Sequence, residues 1–294
     1  MGGRVDLHIH SDRSSDGSFS PKWLVELAGR DGFKAISISD HDTVAAYPEA
    51  LQAGESAGVE VIPSIEVTTL FKNREFHLLL PFIDWKKNIV KDLVNDIAER
   101  RMLEAKARVN KLQDLGFDLS WEEVVESAAP FPPLGVTIAQ FLLKRAHASD
   151  DAKVSKYLSK KNRLYAPYLF YQDYFMEGKP AWVPRLNIKL LNLLENVSET
   201  DGVPVLAHPG AYFQKTTEDD LAVLKEKGLV GLEVYTSYHD KKQVHFYRSL
   251  AEKFDLVATT GSDFHGEIKP HIAFGAVNCG DYSMVEELIK RKKS

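Results

Sequence analysis

Seven short apolar or alternating runs, each closing on polar residues, recur along the chain at 5–10, 35–39, 59–68, 77–83, 203–207, 229–235 and 256–260. Their length and period read as strands. Between several of them lie segments of helical period at 21–30, 43–57, 188–199, 217–227, 241–253 and 283–291. This alternation restricts the fold to an α/β barrel or a doubly wound sheet. The stretch 84–184 breaks the pattern, because it holds no convincing strand. Ile89, Leu93 and Ile97 recur every fourth residue, and 137–147 and 150–161 are also helical in character. It reads as a helical insertion, and the barrel pattern resumes near Val183-Pro184.

Composition narrows the chemistry. With 294 residues, 44% hydrophobic and 27% charged, the chain has the make-up of an ordinary folded protein with a large core. Its longest apolar stretch, 78–83, is far short of the ~20 residues of a membrane span. No apolar leader segment follows Met1. The expectation is therefore a cytoplasmic protein with no membrane partner. A lone cysteine, Cys279, excludes a disulfide framework. The net charge of -5 argues against general nucleic-acid affinity, so phosphate recognition must come from local features such as bound metals. The basic stretch Lys153, Lys156, Lys160, Lys161 and Arg163 reads as a solvated helix face.

The strand ends carry the chemistry. In Asp6-Leu7-His8-Ile9-His10-Ser11, two histidines stand two residues apart and project from one face of a strand. Ser39-Asp40-His41-Asp42-Thr43 ends the second run, and helix capping accounts for Asp42 or Thr43 but not for His41. Glu66 lies near the end of the third run. The link from it to His77 is too short for a parallel crossover, so those strands should be antiparallel neighbours. His208 closes the fifth run ahead of Pro209-Gly210, and Gly261-Ser262-Asp263-Phe264-His265 closes the last. These strands thus deliver His, Asp or Glu to one rim, the end at which α/β folds build sites. Mixed imidazole and carboxylate donors suit zinc, manganese or iron without choosing among them. There is no nucleophile elbow and no glycine-rich phosphate cradle. His147, His245 and His271 fall outside the motifs and read as ordinary surface or core residues.

The series Asp-Leu-His-Ile-His-Ser, Ser-Asp-His-Asp-Thr, Glu66 with His77, Ala-His-Pro and Gly-Ser-Asp-Phe-His resembles the motif set of the PHP family, the polymerase and histidinol phosphatase domains, over nearly the whole chain. The resemblance implies a distorted (β/α)7 barrel at 1–83 and 185–294, with the inserted helical subdomain at 84–184 covering the substrate side. It also implies three divalent metal ions per chain. His8, His10, Glu66 and Asp263 would surround one, and Asp16, His41 and His265 a second. Glu66 would bridge to a third, held with His77 and His208. The implied reaction is hydrolysis of a phosphate ester by a hydroxide bridging two of the metals. Asp40 and His239 are candidates for relaying protons or orienting ligands, and Arg185 and His239 for contacting substrate.

The insertion is similar to that of the nucleoside 3′,5′-bisphosphate phosphatase and oligoribonuclease group. A nucleotide, nucleoside bisphosphate or short RNA is the expected partner. A histidinol-phosphatase-like enzyme and a catalytically silent, metal-stabilised scaffold remain open as alternatives. One stretch departs from the group: its Arg-Pro-His-Ile-Ala corresponds to Gly135-Val136-Thr137-Ile138-Ala139 here. Without that guanidinium, recognition of a second phosphate should weaken unless Arg145, Arg185 or a lysine of 153–161 substitutes for it.

Overall fold

A computed structural model describes residues 3–146, 152–277 and 279–292. The chain divides into two compact units, Met1–Val94 with Ile188–Ser294, and Asn95–Asn187. In chain order the first unit begins with β1 (Arg4–Ile9), α1 (Pro21–Arg30), β2 (Phe33–Ile38), α2 (Tyr47–Ala57), β3 (Glu60–Val61), β4 (Glu66–Phe71) and β5 (Arg74–Leu79). The long α3 (Asn88–Asp114) runs from the first unit into the second, which continues with α4 (Trp121–Ala128), α5 (Gly135–Ala146), α6 (Ala152–Leu158) and α7 (Ala166–Tyr174). The first unit resumes with β6 (Ile188–Lys189), α8 (Leu190–Asn196), β7 (Val205–Leu206) and α9 (Glu218–Glu226). It ends with β8 (Gly231–Thr236), α10 (Lys241–Lys253), β9 (Val257–Gly261) and α11 (Ser283–Lys292). Among the described residues, no helix is long and apolar enough to cross a membrane.

Local chemistry sets the boundaries. The Ser20 hydroxyl accepts the Trp23 amide at 3.2 Å and Pro21 opens α1, a start signal on both counts. Asp240 and Gln243 form a capping box at α10, as Thr217 and Asp220 do at α9. The strand expected at 59–68 is two strands, because Pro63 lacks a ladder donor and interrupts the pairing. The helix expected from 43 begins at Tyr47 instead. Asp42 holds φ at 59° and its carboxylate accepts the Thr68 amide at 3.0 Å, so this residue ties β2 to β4 rather than starting a helix. The helix expected at 188–199 shortens at both ends, since Ile188 and Lys189 pair with β4 and a 3₁₀ turn takes Val197–Thr200. The ends of the helices expected at 137–147 and 150–161 reach 147 and 150–151, outside the described residues, as does His147 itself.

The strands form two sheets, β1-β2-β3 and β6-β4-β5-β7-β8-β9. Pairing is parallel except at β5, which runs antiparallel to β4 and β7. Lys72 and Asn73, both at positive φ, turn the β4–β5 hairpin. Its register sets His77 opposite Thr68, two residues from Glu66 on the same strand. Isolated parallel bridges join the sheets to each other, Ile9 to Phe264 and His41 to Glu66. The core of the first unit packs α1 and α2 on β1 and β2 through Ile9, Leu24, Ile36, Ile38, Tyr47 and Ala50. A separate core in the second unit gathers Val109, Leu112, Phe117, Leu142, Tyr157 and Phe170.

Tyr47 links this core to the end of β2. Its hydroxyl bonds the Ile38 carbonyl and accepts the Ser64 amide, inside a shell where the residue is 1% exposed. Tyr47→Phe strands those buried backbone groups at a cost of about 1–3 kcal/mol. It should lower the melting temperature by roughly 5 °C. Calorimetry checks this, and an unchanged transition contradicts it.

Candidate metal centre

The backbone brings β1 and the end of β9 together before any side chain is considered. The Asp263 amide donates to the His8 carbonyl at 2.8 Å, and the His10 amide to the Phe264 carbonyl at 2.8 Å. That register puts His8, His10 and Asp263 at one point, and Glu66 arrives from β4. His8 Nε2 lies 3.2 Å from His10 Nε2, 3.2 Å from Asp263 Oδ1 and 3.3 Å from Glu66 Oε2. His10 Nε2 lies 3.1 Å from Asp263 Oδ1 and 3.2 Å from Glu66 Oε2. Two ring nitrogens facing each other gain nothing as a hydrogen-bonded pair within a group so tightly spaced. The same spacing leaves room for an ion ~2.0 Å from each donor, the usual metal–nitrogen and metal–oxygen length.

Glu66 is the shared member, buried with no exposure. His8, His10 and His41 approach its Oε2 at 3.3, 3.2 and 3.1 Å. His77 and His208 approach its Oε1 at 2.9 and 3.0 Å. Five imidazoles exceed the roughly four acceptor sites of one carboxylate. Moreover, Glu66 Oε2 and His41 Nδ1 make no well-directed hydrogen bond despite these distances. The donors converge on points between them, as ligands do. A further group joins His10, Asp16, His41 and His265, with Asp16 Oδ2 3.1 Å from His265 Nε2 and 3.4 Å from His41 Nε2. The structure therefore assembles all nine residues singled out by sequence as metal ligands. His10 belongs to two of the groups.

Two of these residues hold backbone conformations that L-residues rarely adopt, Asp263 at φ 56° and His208 at φ 25°. Such strain persists only where surrounding bonds over-determine it. Glu233, on β8 and with no exposure, supplies one of them at His208, whose amide its Oε2 accepts at 2.7 Å, while its Oε1 lies 3.0 Å from His8 Nδ1. A Cβ at Gly261 would sit 2.3 Å from Glu233 Oε1 and 2.3 Å from His8 Cβ, so only glycine admits this approach. Asp6 accepts the Ser262 amide at 2.9 Å, and Gln214 accepts the His77 amide at 3.2 Å while donating to the Ala207 carbonyl at 2.9 Å. Sequence reasoning missed Glu233, Asp6 and Gln214. A carboxylate inside the apolar run 229–235 was the one available signal.

The other candidates fare differently. The Asp40 carboxylate accepts both the amide and the hydroxyl of Ser11 at 2.6 Å, and the Ser14 hydroxyl at 3.2 Å. Ser14 Oγ also lies 2.9 Å from Asp16 Oδ1, so Asp40, through Ser11 and Ser14, anchors the loop that carries Asp16. Burial pushes the Asp40 carboxyl up to about 6. His239, the other candidate for a proton relay or substrate contact, turns its ring nitrogens to the backbone. Its Nδ1–H donates to the Val234 carbonyl at 2.8 Å and its Nε2 accepts the Gly210 amide at 2.8 Å. Both nitrogens are spent on backbone, which makes His239 a clamp for the turn after His208. Arg185 is exposed and belongs to the second unit.

Comparison with known proteins supplies an independent line. Residues 6–118 match the PHP domain. The 5′-3′ exoribonuclease Rnm of Salmonella typhimurium is 27% identical over 88% of this chain and 84% of its own length. The phosphoribosyl 1,2-cyclic phosphate 1,2-diphosphodiesterase of Eggerthella lenta is 28% identical over 92% of this chain and 97% of its own. The crystal structure of a Bifidobacterium adolescentis protein, inferred to be a metal-dependent phosphoesterase, superposes with a TM-score of 0.77 at 24% identity. That match covers 98% of this chain and 96% of the other, and it establishes the shared α/β fold.

Burial opposes the charged form of His10 and His77. Carboxylate contacts outweigh it, from Asp263 and Glu66 on His10, raised to about 9, and from Glu66 and Glu75 on His77, raised to about 10. Both folded values lie above the ordinary 6.5. The stability these groups contribute is thus complete below 6.5 and lost as pH climbs through 9 and 10. Metal-stripped protein should lose melting temperature between pH 6.5 and 9 for this reason. Metal-loaded protein should show a flatter profile, because ions compete with protons for the same nitrogens. Thermal scans with and without chelator test this; a stripped protein that gains stability over the interval contradicts it.

Proposed function

We infer that this chain, which carries a PHP domain and has phosphodiester-cleaving relatives along almost its full length, is a metal-dependent phosphoesterase acting on nucleotide-type substrates. The observation that carries the reading is Glu66, a single buried carboxylate ringed by five imidazoles and shared between ligand groups. We assign His8, His10, Glu66 and Asp263 to one divalent ion, and Asp16, His41 and His265 to a second. Glu66, His77 and His208 hold a third. Imidazole and carboxylate donors together suit manganese, zinc or iron. The two bridges between the sheets support closure of the strands into the distorted barrel.

Bound metals would activate water near neutral pH and offset the charge of the phosphoryl oxygens. The chain's own residues fix where this happens. Glu233 and Gln214 orient His8, His208 and the His77 backbone, and Asp40 with Ser11 and Ser14 holds the loop of Asp16. The rings of Phe213 and Tyr238 pack against His208, with centroids at 5.4 and 5.2 Å, and shield that side of the cluster from water.

On substrate, the second unit supports a weakened preference for bisphosphates. Gly135 opens α5 without the guanidinium of the related group. Arg145 is committed to Asp118 at 3.0 Å and Glu123 at 2.6 Å, and Lys156 to Asp173 at 2.8 Å. These two cations are therefore poor replacements. Comparing kcat/KM for a nucleoside 3′,5′-bisphosphate, its monophosphates, a short 5′-phosphorylated oligoribonucleotide and an aryl phosphate tests this. A bisphosphate preference beyond about 1000-fold rules it out.

Elemental analysis of the purified protein should find two or three transition metals per chain. Asp263→Ala and His41→Ala should each cut turnover by at least about 100-fold. His245→Ala, on the exposed face of α10, should change it little. Equal losses in all three folded variants would move the site elsewhere, and full metal content with no turnover would favour the silent scaffold.

A further inference from the structure

We propose that Lys269 is a phosphate-binding residue of this site, its ammonium anchored on Asp263 and Tyr238 so that the remaining N–H meets a phosphoryl oxygen of the substrate. The inference rests on the phosphoesterase reading above. Lys269 Nζ lies 2.9 Å from Asp263 Oδ2 and 2.9 Å from the Tyr238 hydroxyl. Tyr238 donates its own proton to the same Asp263 oxygen at 2.8 Å, so its hydroxyl accepts from Lys269. An ammonium carries three donors and no acceptor. Two are used, and among the described residues nothing takes the third.

Position gives that third donor its meaning. Asp263 turns Oδ1 to His8 and His10 and Oδ2 to Lys269, so the ammonium stands one carboxylate away from the ligand cluster. Lys269 thus pairs directly with a member of the cluster. The Lys269 side chain is 28% exposed while the Asp263 side chain is 2% exposed, so the cation is reachable from solvent at the edge of a buried group. A phosphate seated on the cluster brings negative oxygens to this edge, and a charge-assisted hydrogen bond is the contact an ammonium makes with them.

The loop that carries Lys269 is fixed in advance. The Ser18 hydroxyl donates to the His265 carbonyl at 2.9 Å and accepts the Glu267 amide at 2.9 Å. The Ile272 amide closes a turn on the Lys269 carbonyl at 3.0 Å. Gly266 holds φ at 70°, where a Cβ would strike the Phe19 ring at 2.7 Å. A cation held this way needs little reorganisation when substrate arrives.

The competing role is purely structural, in which Lys269 only pins Asp263. Manganese-loaded wild type, Lys269→Met, Lys269→Gln and Lys269→Arg separate the two when measured for metal content, for affinity toward inorganic phosphate by calorimetry, and for kcat/KM on an aryl phosphate. We expect Met and Gln to keep the metal, bind phosphate at least about tenfold more weakly, and lose about 100-fold in kcat/KM. Arginine should recover part of both. Unchanged phosphate affinity with the metal retained overturns the proposal, as does a loss that only follows manganese content. A wild type that binds phosphate through Lys269 yet cleaves no ester supports this contact and removes the phosphoesterase reading instead.

Discussion

A carboxylate without solvent, surrounded by five imidazoles, is the constraint around which the rest of this molecule is arranged. Glu66 cannot satisfy so many ring nitrogens by hydrogen bonding, and the rings cannot all carry protons so close together. Burial of Glu66 favours its neutral form, but the imidazole charges, that of His41 foremost, hold it well below the usual carboxylate range. His41 goes the other way. Burial pushes it down to about 3, and repulsion from His10 and His77 adds to this despite Glu66 and Asp16. Neighbours thus hold protons in opposite senses. Divalent ions held there would settle the conflict by replacing several mobile protons with a few fixed charges.

The fold serves that arrangement by breaking its own regularity. A uniformly parallel set of strands would bring only carboxyl-terminal ends to one rim. Reversing β5 through a two-residue turn lets His77, near the middle of an antiparallel strand, reach Glu66. The His41 to Glu66 bridge and the Ile9 to Phe264 bridge then set the two sheets so that β1, β2, β4 and the end of β9 meet. The cost appears as unusual backbone at Asp42, His208 and Asp263.

Much of this was legible from residue spacing. His8 and His10 declared themselves by strand alternation, His208 and His265 by standing at strand ends, and the antiparallel hairpin by a link too short for a crossover. Glu233 was not legible in the same way. A single acid in an apolar run has no periodic signature, and its role depends on Gly261 yielding space 28 residues later. His239 stood out because its type and position suit catalysis, whereas its ring nitrogens are bonded to Val234 and Gly210, partners no spacing rule identifies. Lys269 went unnoticed because its contact with Asp263 depends on the turn at Gly266. Helix starts shifted for a similar reason: Asp42 was claimed by a tertiary bond to Thr68 over the local cap.

The left-handed backbone at Asp263 and His208 bears on how this protein can be altered. Glycine is the residue that relaxes such conformations, and replacement schemes that seek heat resistance by easing torsional strain would select these two sites early. Yet each carries a side chain that glycine would delete from the centre. Selection for rigidity and selection for chemistry therefore pull against each other at the same two backbone positions. A hardened variant has to find its gains elsewhere, such as the caps and helix faces remote from the rim.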